Sequence, residues 1–275
     1  MAALRLIPSK GGHGGPPLQS NLFGQNTGKL MMMRMVVCVF VMLIATHATA
    51  SAQQKRVTLT RAEIKQAEGK LSELGYWTGP VDGVLDAATK QALIAFQKWE
   101  DRPITGKLTR EELEAIRKGT APQARDLGYE HVEVDIDRQI LMLVSDDDRV
   151  RVLPVSTGNG KEFIEHGEPS IAYTPRGRFV VYNKTFGWED GQIGSVYYAN
   201  YISGGVAIHG YLSVPAQAAS HGCIRIPMFA ARKVSELTPR GTIVLVYDKV
   251  SFVSGLSWAK NPKLKQAALD MGPLQ

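Results

Sequence analysis

Two kinds of hydrophobic periodicity divide the chain. Between Thr60 and Lys118, apolar residues recur every three or four positions, which is the spacing of amphipathic helices. From Val132 onward the period changes to two, because Val132, Val134 and Ile136 alternate with charged residues. The pattern predicts a multidomain protein, with a small all-α domain of three helices (58–118) followed by a β-rich domain with one or two helices.

Capping signals place the three helices. Thr60 with Glu63, and Thr109 with Glu112, form T-x-x-E capping boxes, and the second helix is predicted to begin at Asp86. Apolar residues at helical spacing predict the inward positions of each helix. They are Ile64, Ala67, Leu71 and Leu74 in the first helix, Ala88, Ala92, Leu93, Phe96 and Trp99 in the second, and Leu113 and Ile116 in the third.

A short run with the composition of a linker marks the start of the β-rich region. The run 119–125 (G-T-A-P-Q-A-R) is predicted to be a linker, and the β-rich domain to span 126–250. Strands are predicted at 132–136, 139–144, 150–155, 177–182, 205–208 and 242–247, and a helix at 228–237. The tail at 251–275 shows no strong pattern.

The first 52 residues predict export. They contain four basic residues and no acid, and positions 35–45 are eleven apolar residues, shorter than the roughly 20 that a membrane span needs. The runs A-T-A (48–50) and A-S-A (50–52) fit a signal-peptidase site. We interpret 1–52 as an over-extended N-terminus, with the true start at 31–33, plus a signal peptide. Cleavage would leave no stable membrane span, and an uncleaved anchor is the alternative.

Charge gives no reason to expect nucleic acid as a partner. The formal charge is +6, but four of the basic residues lie in 1–52, so the rest has 28 basic and 26 acidic side chains, a net of +2. A folded part so close to neutrality lacks the basic excess that polyanion binding requires.

The two cysteines differ in setting. Cys38 lies in the apolar stretch, so cleavage would leave Cys223 as the only thiol, unable to form an internal disulfide. A lone thiol in an exported protein is either a reactive group or a buried structural residue.

Two histidines precede Cys223 within fifteen residues. A cysteine nucleophile needs a base, and His209 or His221 can serve. Strand alternation would put His221 on the face of Cys223, whereas Gly222 favours a bend, so the residues alone leave the base open. The backbone amides of Gly222 and Cys223 are candidate oxyanion donors.

The same residues admit other interpretations. His221 can be a packing residue, and Arg225 either anchors a substrate carboxylate or forms a structural ion pair. His209, His221 and Cys223 could also bind zinc. The sequence has no H-E-x-x-H or C-x-x-C motif, no second cysteine after signal cleavage and no evident general base for zinc chemistry, so we favour the thiol and expect no metal or cofactor.

The run H-G (209–210) followed by S-H-G-C-I-R (220–225) resembles the signature of the L,D-transpeptidase (YkuD-type) catalytic domain. Upstream, V-D-I…Q-I-L (134–141), P-V-S-T-G (154–158) and T-P-R-G-R-F (174–179) are similar to that family's early strands. The resemblance covers most of 130–247.

The resemblance implies a role for each signature residue. Cys223 would be the nucleophile and His209 the base, with its imidazole oriented by the backbone carbonyl of Gly210. The pocket would be shaped by Ser220, His221 and Arg225, and no cofactor is implied. The thiolate would attack the diamino acid–D-Ala bond of a tetrapeptide stem, and an amine of a second stem would resolve the thioester to a 3→3 crosslink.

The helical region resembles a peptidoglycan-binding domain. Its L-S-E-L-G-Y (71–76), V-D-G (81–83), Thr89, F-Q (96–97) and T-G-K-L (105–108) stand at that domain's offsets. The implied partners are peptidoglycan stem peptides and glycan, and the implied location is the bacterial envelope, in the periplasm. Alternatives are L,D-carboxypeptidase activity, protein-to-wall attachment by the same chemistry, or a non-catalytic peptidoglycan-binding protein.

Overall fold

The structure, a computed structural model, describes residues 58–165, 167–191 and 193–271. The predicted signal peptide and N-terminus therefore lie outside the described residues. The elements are α1 Arg61–Glu73, α2 Ala87–Trp99, α3 Arg110–Lys118, β1 His131–Asp135, β2 Ile140–Val144, β3 Val150–Pro154, β4 Glu162–Glu165, β5 Glu168–Ile171, β6 Gly177–Val180, β7 Asn183–Lys184, β8 Trp188–Gly191, β9 Gly194–Ser203, β10 Val206–Tyr211, β11 Ile224–Pro227, α4 Met228–Leu237, β12 Ile243–Tyr247, α5 Leu256–Lys260 and α6 Pro262–Asp270.

The three predicted helices and their caps are confirmed. The Thr60 hydroxyl accepts from the Glu63 amide at 3.3 Å, and the Glu63 carboxylate accepts from the Thr60 amide at 2.8 Å. The Asp86 and Thr109 side chains each accept from the amide three residues on, so they cap α2 and α3. The Glu112 carboxylate pairs with Arg102, so only the Thr109 half of the second predicted capping box is found. A β-rich region with few helices follows, as the sequence predicts.

Two sheets and a hairpin make up the β-rich part. The first sheet has the order β3-β2-β1-β12-β6, and the second has the order β11-β10-β9-β7 with β8 also paired to β9. Strands β4 and β5 form the hairpin. The parallel pairs are β1 with β12 and β10 with β11. Apolar side chains of both sheets and of α4 form one core, which includes Val134, Leu153, Ile208, Ile226 and Val234.

The helices pack on the other face of the first sheet. Ile140, Met142, Val144 and Val152 belong to the same buried cluster as the inward residues of α1, α2 and α3. Leu141, between two of them, faces the core between the sheets. Strand β2 is thus covered on both faces, which explains its unbroken apolar sequence I-L-M-L-V.

The chain after α1 also covers the edge of β3. The Val152 amide donates to the Gly75 carbonyl at 2.9 Å, and the Trp77 amide donates to the Val152 carbonyl at 3.2 Å. Tyr76 joins the helical cluster, while Trp77 packs on the inter-sheet core. Gly75 has φ +95°, and a Cβ there would lie 2.5 Å from the Val150 carbonyl oxygen, so only glycine fits. An edge strand that would otherwise be open is therefore paired.

The tail carries structure that its sequence pattern does not show. Helices α5 and α6 have no fully buried residue. They nevertheless place Trp258 and Leu269 against a cluster that contains Tyr247. The Asp126 carboxylate accepts from the Ser254 hydroxyl at 2.6 Å and the Gly255 amide at 2.8 Å, which joins the tail to the segment before β1. None of the described helices combines the length and apolarity required to span a membrane.

Candidate active site

The parallel register of β10 and β11 brings the signature residues to one face of the second sheet. Ile208 lies opposite Ile224, and both point into the core between the sheets. Because side chains alternate along a strand, His209 and its partner Arg225 face the other way. Cys223 immediately precedes β11 and shares that outward face. The fold therefore collects one thiol, one imidazole and one guanidinium on a single surface.

His209 is held in the orientation that the resemblance implies. Its ring is buried at 3% exposure, and its Nδ1–H donates to the Gly210 carbonyl at 3.0 Å. This bond fixes the tautomer whose Nε2 carries the free lone pair. Burial lowers the pKa of His209 to about 4; the Gly210 carbonyl acts in the opposite direction, and the charge of Arg225 adds to the lowering. The imidazole is therefore neutral near pH 7.

The Cys223 side chain is partly exposed and rests on the backbone of the preceding loop. Its Sγ lies 3.5 Å from the Gly205 carbonyl oxygen. Burial raises the pKa of the thiol; the Ala207 amide and the charge of Arg225 lower it, and Glu165 raises it. The resting pair is therefore a neutral thiol and a neutral imidazole. Within the described part of the chain, Sγ makes no hydrogen bond to His209 and its thiol is directed at the Gly205 carbonyl.

Ser220 clasps the loop that carries the thiol. Its hydroxyl donates to the Cys223 carbonyl at 2.5 Å and accepts from the Gly222 amide at 3.1 Å. The Gly222 amide is thus bonded to Ser220 in the resting structure, and its role as an oxyanion donor stays a prediction. The Cys223 amide has no acceptor among the residues described, so it is the remaining backbone donor of the predicted pair.

Thr174 holds the same loop from its other side. Its hydroxyl donates to the Gly222 carbonyl at 2.6 Å and accepts from the Gly158 amide at 2.8 Å. Gly222 adopts φ +147°, and a Cβ there would lie 3.0 Å from the Tyr173 carbonyl oxygen. Glycine is therefore required at the bend that the sequence suggested.

His221 and Arg225 have different surroundings. His221 is exposed and packs on Phe163 of β4, with ring centroids 4.7 Å apart. The Arg225 guanidinium stacks on the Tyr211 ring at 4.1 Å and donates to the Ala219 carbonyl at 3.3 Å. No carboxylate pairs with Arg225 in the described ranges. Of its two predicted roles, the structural ion pair is therefore not found.

Comparison with known proteins agrees with this geometry. The model of the L,D-transpeptidase catalytic domain (YkuD) matches residues 129–246, and that of a peptidoglycan binding domain matches residues 60–116. A crystal structure of the L,D-transpeptidase from Xylanimonas cellulosilytica is 36% identical, with a TM-score of 0.64, and the match covers 67% of this chain and 93% of that one. The chain belongs to the L,D-transpeptidase family.

Two further L,D-transpeptidase structures are more distant. That from Stackebrandtia nassauensis is 21% identical with a TM-score of 0.40, over 66% of this chain and 89% of that one. That from Mycobacterium smegmatis is 24% identical with a TM-score of 0.34, over 43% and 58%. No curated protein matches the sequence.

Two buried hydroxyl residues that the sequence did not single out, Ser156 and Thr157, support this L,D-transpeptidase site from below. The Thr157 carbonyl accepts from the amides of Ala219 and Ser220, both at 2.9 Å. Ser156 exchanges backbone hydrogen bonds with Arg225 at 3.1 and 3.0 Å. Both residues are fully buried. The available signal was a pair of hydroxyl residues directly after the apolar strand β3, in the P-V-S-T-G run.

The three residues of the zinc alternative do not converge. His221 packs on the β4–β5 hairpin, away from His209. In the part of the L,D-transpeptidase chain that the structure describes, no group of three His, Cys, Asp or Glu side chains is placed to hold a metal ion.

Proposed function

We propose that this protein is a cysteine-dependent peptidoglycan L,D-transpeptidase that forms 3→3 crosslinks. One observation carries the proposal: His209, anchored by its Nδ1–H on the Gly210 carbonyl, shares a sheet face with Cys223 in a chain of the L,D-transpeptidase family. A base with a fixed tautomer on the same sheet face as a thiol is suited to covalent acyl transfer.

The first half-reaction breaks the bond to the terminal D-Ala. The Cys223 thiol rotates toward His209, and Nε2 takes its proton as Sγ attacks the carbonyl that follows the L-centre of the diamino acid. The Cys223 amide donates to the developing oxyanion. The tetrahedral intermediate then expels D-Ala, whose nitrogen receives the proton from His209, and a thioester on Cys223 remains.

The second half-reaction transfers the acyl group. The side-chain amine of a second stem attacks the thioester carbonyl and gives up a proton to His209. The carbon–sulfur bond breaks, and the departing sulfur recovers that proton, which restores the resting thiol. Water in place of the amine gives an L,D-carboxypeptidase, and a protein amine gives wall attachment. Mass spectrometry of products from one donor stem offered all three acceptors together identifies the acceptor.

Arg225 supplies the positive charge of the site. Its charge lowers the pKa of Cys223 and of His209, so it favours the thiolate and keeps the imidazole neutral. Its guanidinium is fixed by Tyr211 and has no carboxylate partner among the described residues. We assign it to the carboxylate of the donor stem, which a planar fork of N–H donors binds well.

The helical part is assigned to peptidoglycan, in keeping with its family match at residues 60–116. The protein would then act on the envelope side of an export pathway, in the periplasm, where stems and glycan occur. Binding by the helices and chemistry at Cys223 would act on the same polymer. His221 and Ser220 would complete the pocket, one as its exposed wall and the other as the clasp of its loop.

The test is release of D-Ala from a disaccharide tetrapeptide. The purified protein should release D-Ala and yield crosslinked dimers, and Cys223→Ala should abolish both. Ser72→Ala, an equally small change at an exposed position of α1, is the matched control and should keep full activity. Full D-Ala release by Cys223→Ala would disprove the proposal.

A further inference from the structure

Lys98, at the end of α2, is a buried lysine whose side chain reaches into the β-rich part. It is 3% exposed, and Nζ donates to the carbonyls of Gln139 at 2.9 Å and Val155 at 3.1 Å. No carboxylate pairs with it in the described ranges, and burial lowers the pKa of its ammonium group to about 7. Lysine is rarely buried unpaired, because desolvating its charge is costly. At this position, two hydrogen bonds to backbone carbonyls offset part of the desolvation cost.

Gln139 carries the contact one step toward the active site. Its backbone has φ +54°, uncommon for a residue other than glycine, and its carbonyl also accepts from the Val155 amide at 2.9 Å. Its side-chain amide donates to the Thr157 hydroxyl at 2.7 Å, and its side-chain oxygen accepts from the Thr157 amide at 2.9 Å. Lys98 therefore holds the carbonyl of the residue whose side chain holds Thr157.

Thr157 completes the connection to the nucleophile. Its carbonyl accepts from the amides of Ala219 and Ser220, and the Ser220 hydroxyl bridges the Gly222 amide and the Cys223 carbonyl. Thr157 and Ser220 are 0% and 1% exposed, so water does not compete for these bonds. The hydrogen bonds form an unbroken path from α2 to the loop of Cys223.

We propose that Lys98 is a positioning residue for Cys223, so that the helical part serves catalysis in addition to binding the wall polymer. Its ammonium group fixes the end of β3 and the turn before β2, and these fix the loop that presents the thiol. The inference rests on the proposed function for its turnover readout. If Lys98 were purely structural, its loss would lower stability and leave kcat unchanged. If it positions Cys223, its loss would also lower kcat.

The test compares three variants of the full chain. Lys98→Met keeps the length of the side chain and removes the donors. Val152→Ala loosens the same interface without removing any hydrogen bond of the path, and Lys65→Met makes the same substitution at an exposed position of α1. The measurements are the melting temperature, kcat and KM for D-Ala release, and the rate at which iodoacetamide alkylates Cys223, all well below the lowest melting temperature.

We expect Lys98→Met to lower kcat about tenfold, with KM within about twofold, since mutations along such paths change coupling by that order. Alkylation should become about threefold faster, because a loosened loop exposes the sulfur. Val152→Ala and Lys65→Met should keep the wild-type kcat and alkylation rate. A Lys98→Met kcat equal to that of Val152→Ala would overturn the inference.

Two further outcomes also decide the matter. If Lys98→Met does not fold, Gln139→Met removes both side-chain hydrogen bonds to Thr157 at nearly constant length and should show the same separation of kcat from KM; a wild-type kcat there would overturn the inference. If the wild-type protein releases no D-Ala, the proposed function fails, and the alkylation rates alone test the positioning of Cys223, with equal rates in wild type and Lys98→Met as the contradicting result.

Discussion

The interface between the helices and the first sheet differs from the loop around Cys223 in how polar groups are used. At the interface, the buried amino group of Lys98 donates to two carbonyls, and the Gly75 and Trp77 backbone pairs with β3. Around Cys223, the amide of that residue, its thiol and Nε2 of His209 are uncommitted or weakly engaged. The Cys223 and His209 groups can remain without strong hydrogen bonds because Ser220, Thr174 and Thr157 hold the surrounding loop through their own hydrogen bonds.

Removal of residues 58–118 should have the largest effect on the stability of the β-rich part. It would expose Ile140, Met142, Val144 and Val152, which are now buried. Burial of four such side chains is worth about 6–12 kcal/mol, comparable to the roughly 5–15 kcal/mol by which a whole domain is stable. The truncated protein should show no cooperative thermal transition by circular dichroism. A folded, D-Ala-releasing fragment would show that the interface is dispensable.

His209→Gln should have the next largest effect, on turnover. Loss of a general base typically lowers turnover by 10²–10⁴, so we expect kcat/KM for D-Ala release to fall about a thousandfold. The matched control is His221→Gln, which changes the pocket wall and its packing on Phe163 but removes no base, and kcat/KM should fall less than about tenfold. Equal losses in the two variants would refute the assignment of the base.

Much of the fold and of the site was predictable because its signals are local. The T-x-x-E boxes specify helix starts, and the change of period at Val132 marks the first strand. The choice of His209 over His221 as the predicted base came from the family resemblance. Strand alternation alone could not decide it, because the backbone bends at Gly222.

The remainder depends on contacts between distant residues. The unbroken apolar sequence of β2 indicates that both of its faces are covered, but it does not show that the helices cover the second face. Nothing near Gln139 shows its φ of +54° or its bonds to Thr157. The commitment of the Gly222 amide to Ser220 is likewise visible only in three dimensions. The packing of Trp258 and Leu269 against the cluster of Tyr247 is also a contact between distant residues.

Acid should destabilise the catalytic side through His209. Burial lowers its pKa to about 4 in the folded state, against about 6.5 when unfolded. Between these values the unfolded chain binds more protons, so stability falls as pH drops from about 6.5 to about 4, by about 3 kcal/mol at most. Chemical denaturation across this range should show the loss in wild type, and His209→Gln should lack that component. A pH dependence identical in both would contradict a buried neutral imidazole.

Ser220→Ala should have the smallest effect on stability. It leaves the buried Gly222 amide and the Cys223 carbonyl without the hydroxyl that now joins them, which costs about 1–3 kcal/mol. Urea denaturation measures the loss, and an exposed serine change, Ser72→Ala, is the control. If Ser220→Ala were as stable as wild type, the clasp would not restrain the loop.

The most direct test of the account is the site of the covalent intermediate. The protein, mixed with a disaccharide tetrapeptide and quenched in acid within one turnover, should gain the mass of the disaccharide tripeptide acyl group, and peptide mapping should place it on Cys223. The adduct should appear with one equivalent of D-Ala and disappear when an acceptor amine is added. Release of D-Ala with no adduct, or with an adduct on another residue, would contradict the account.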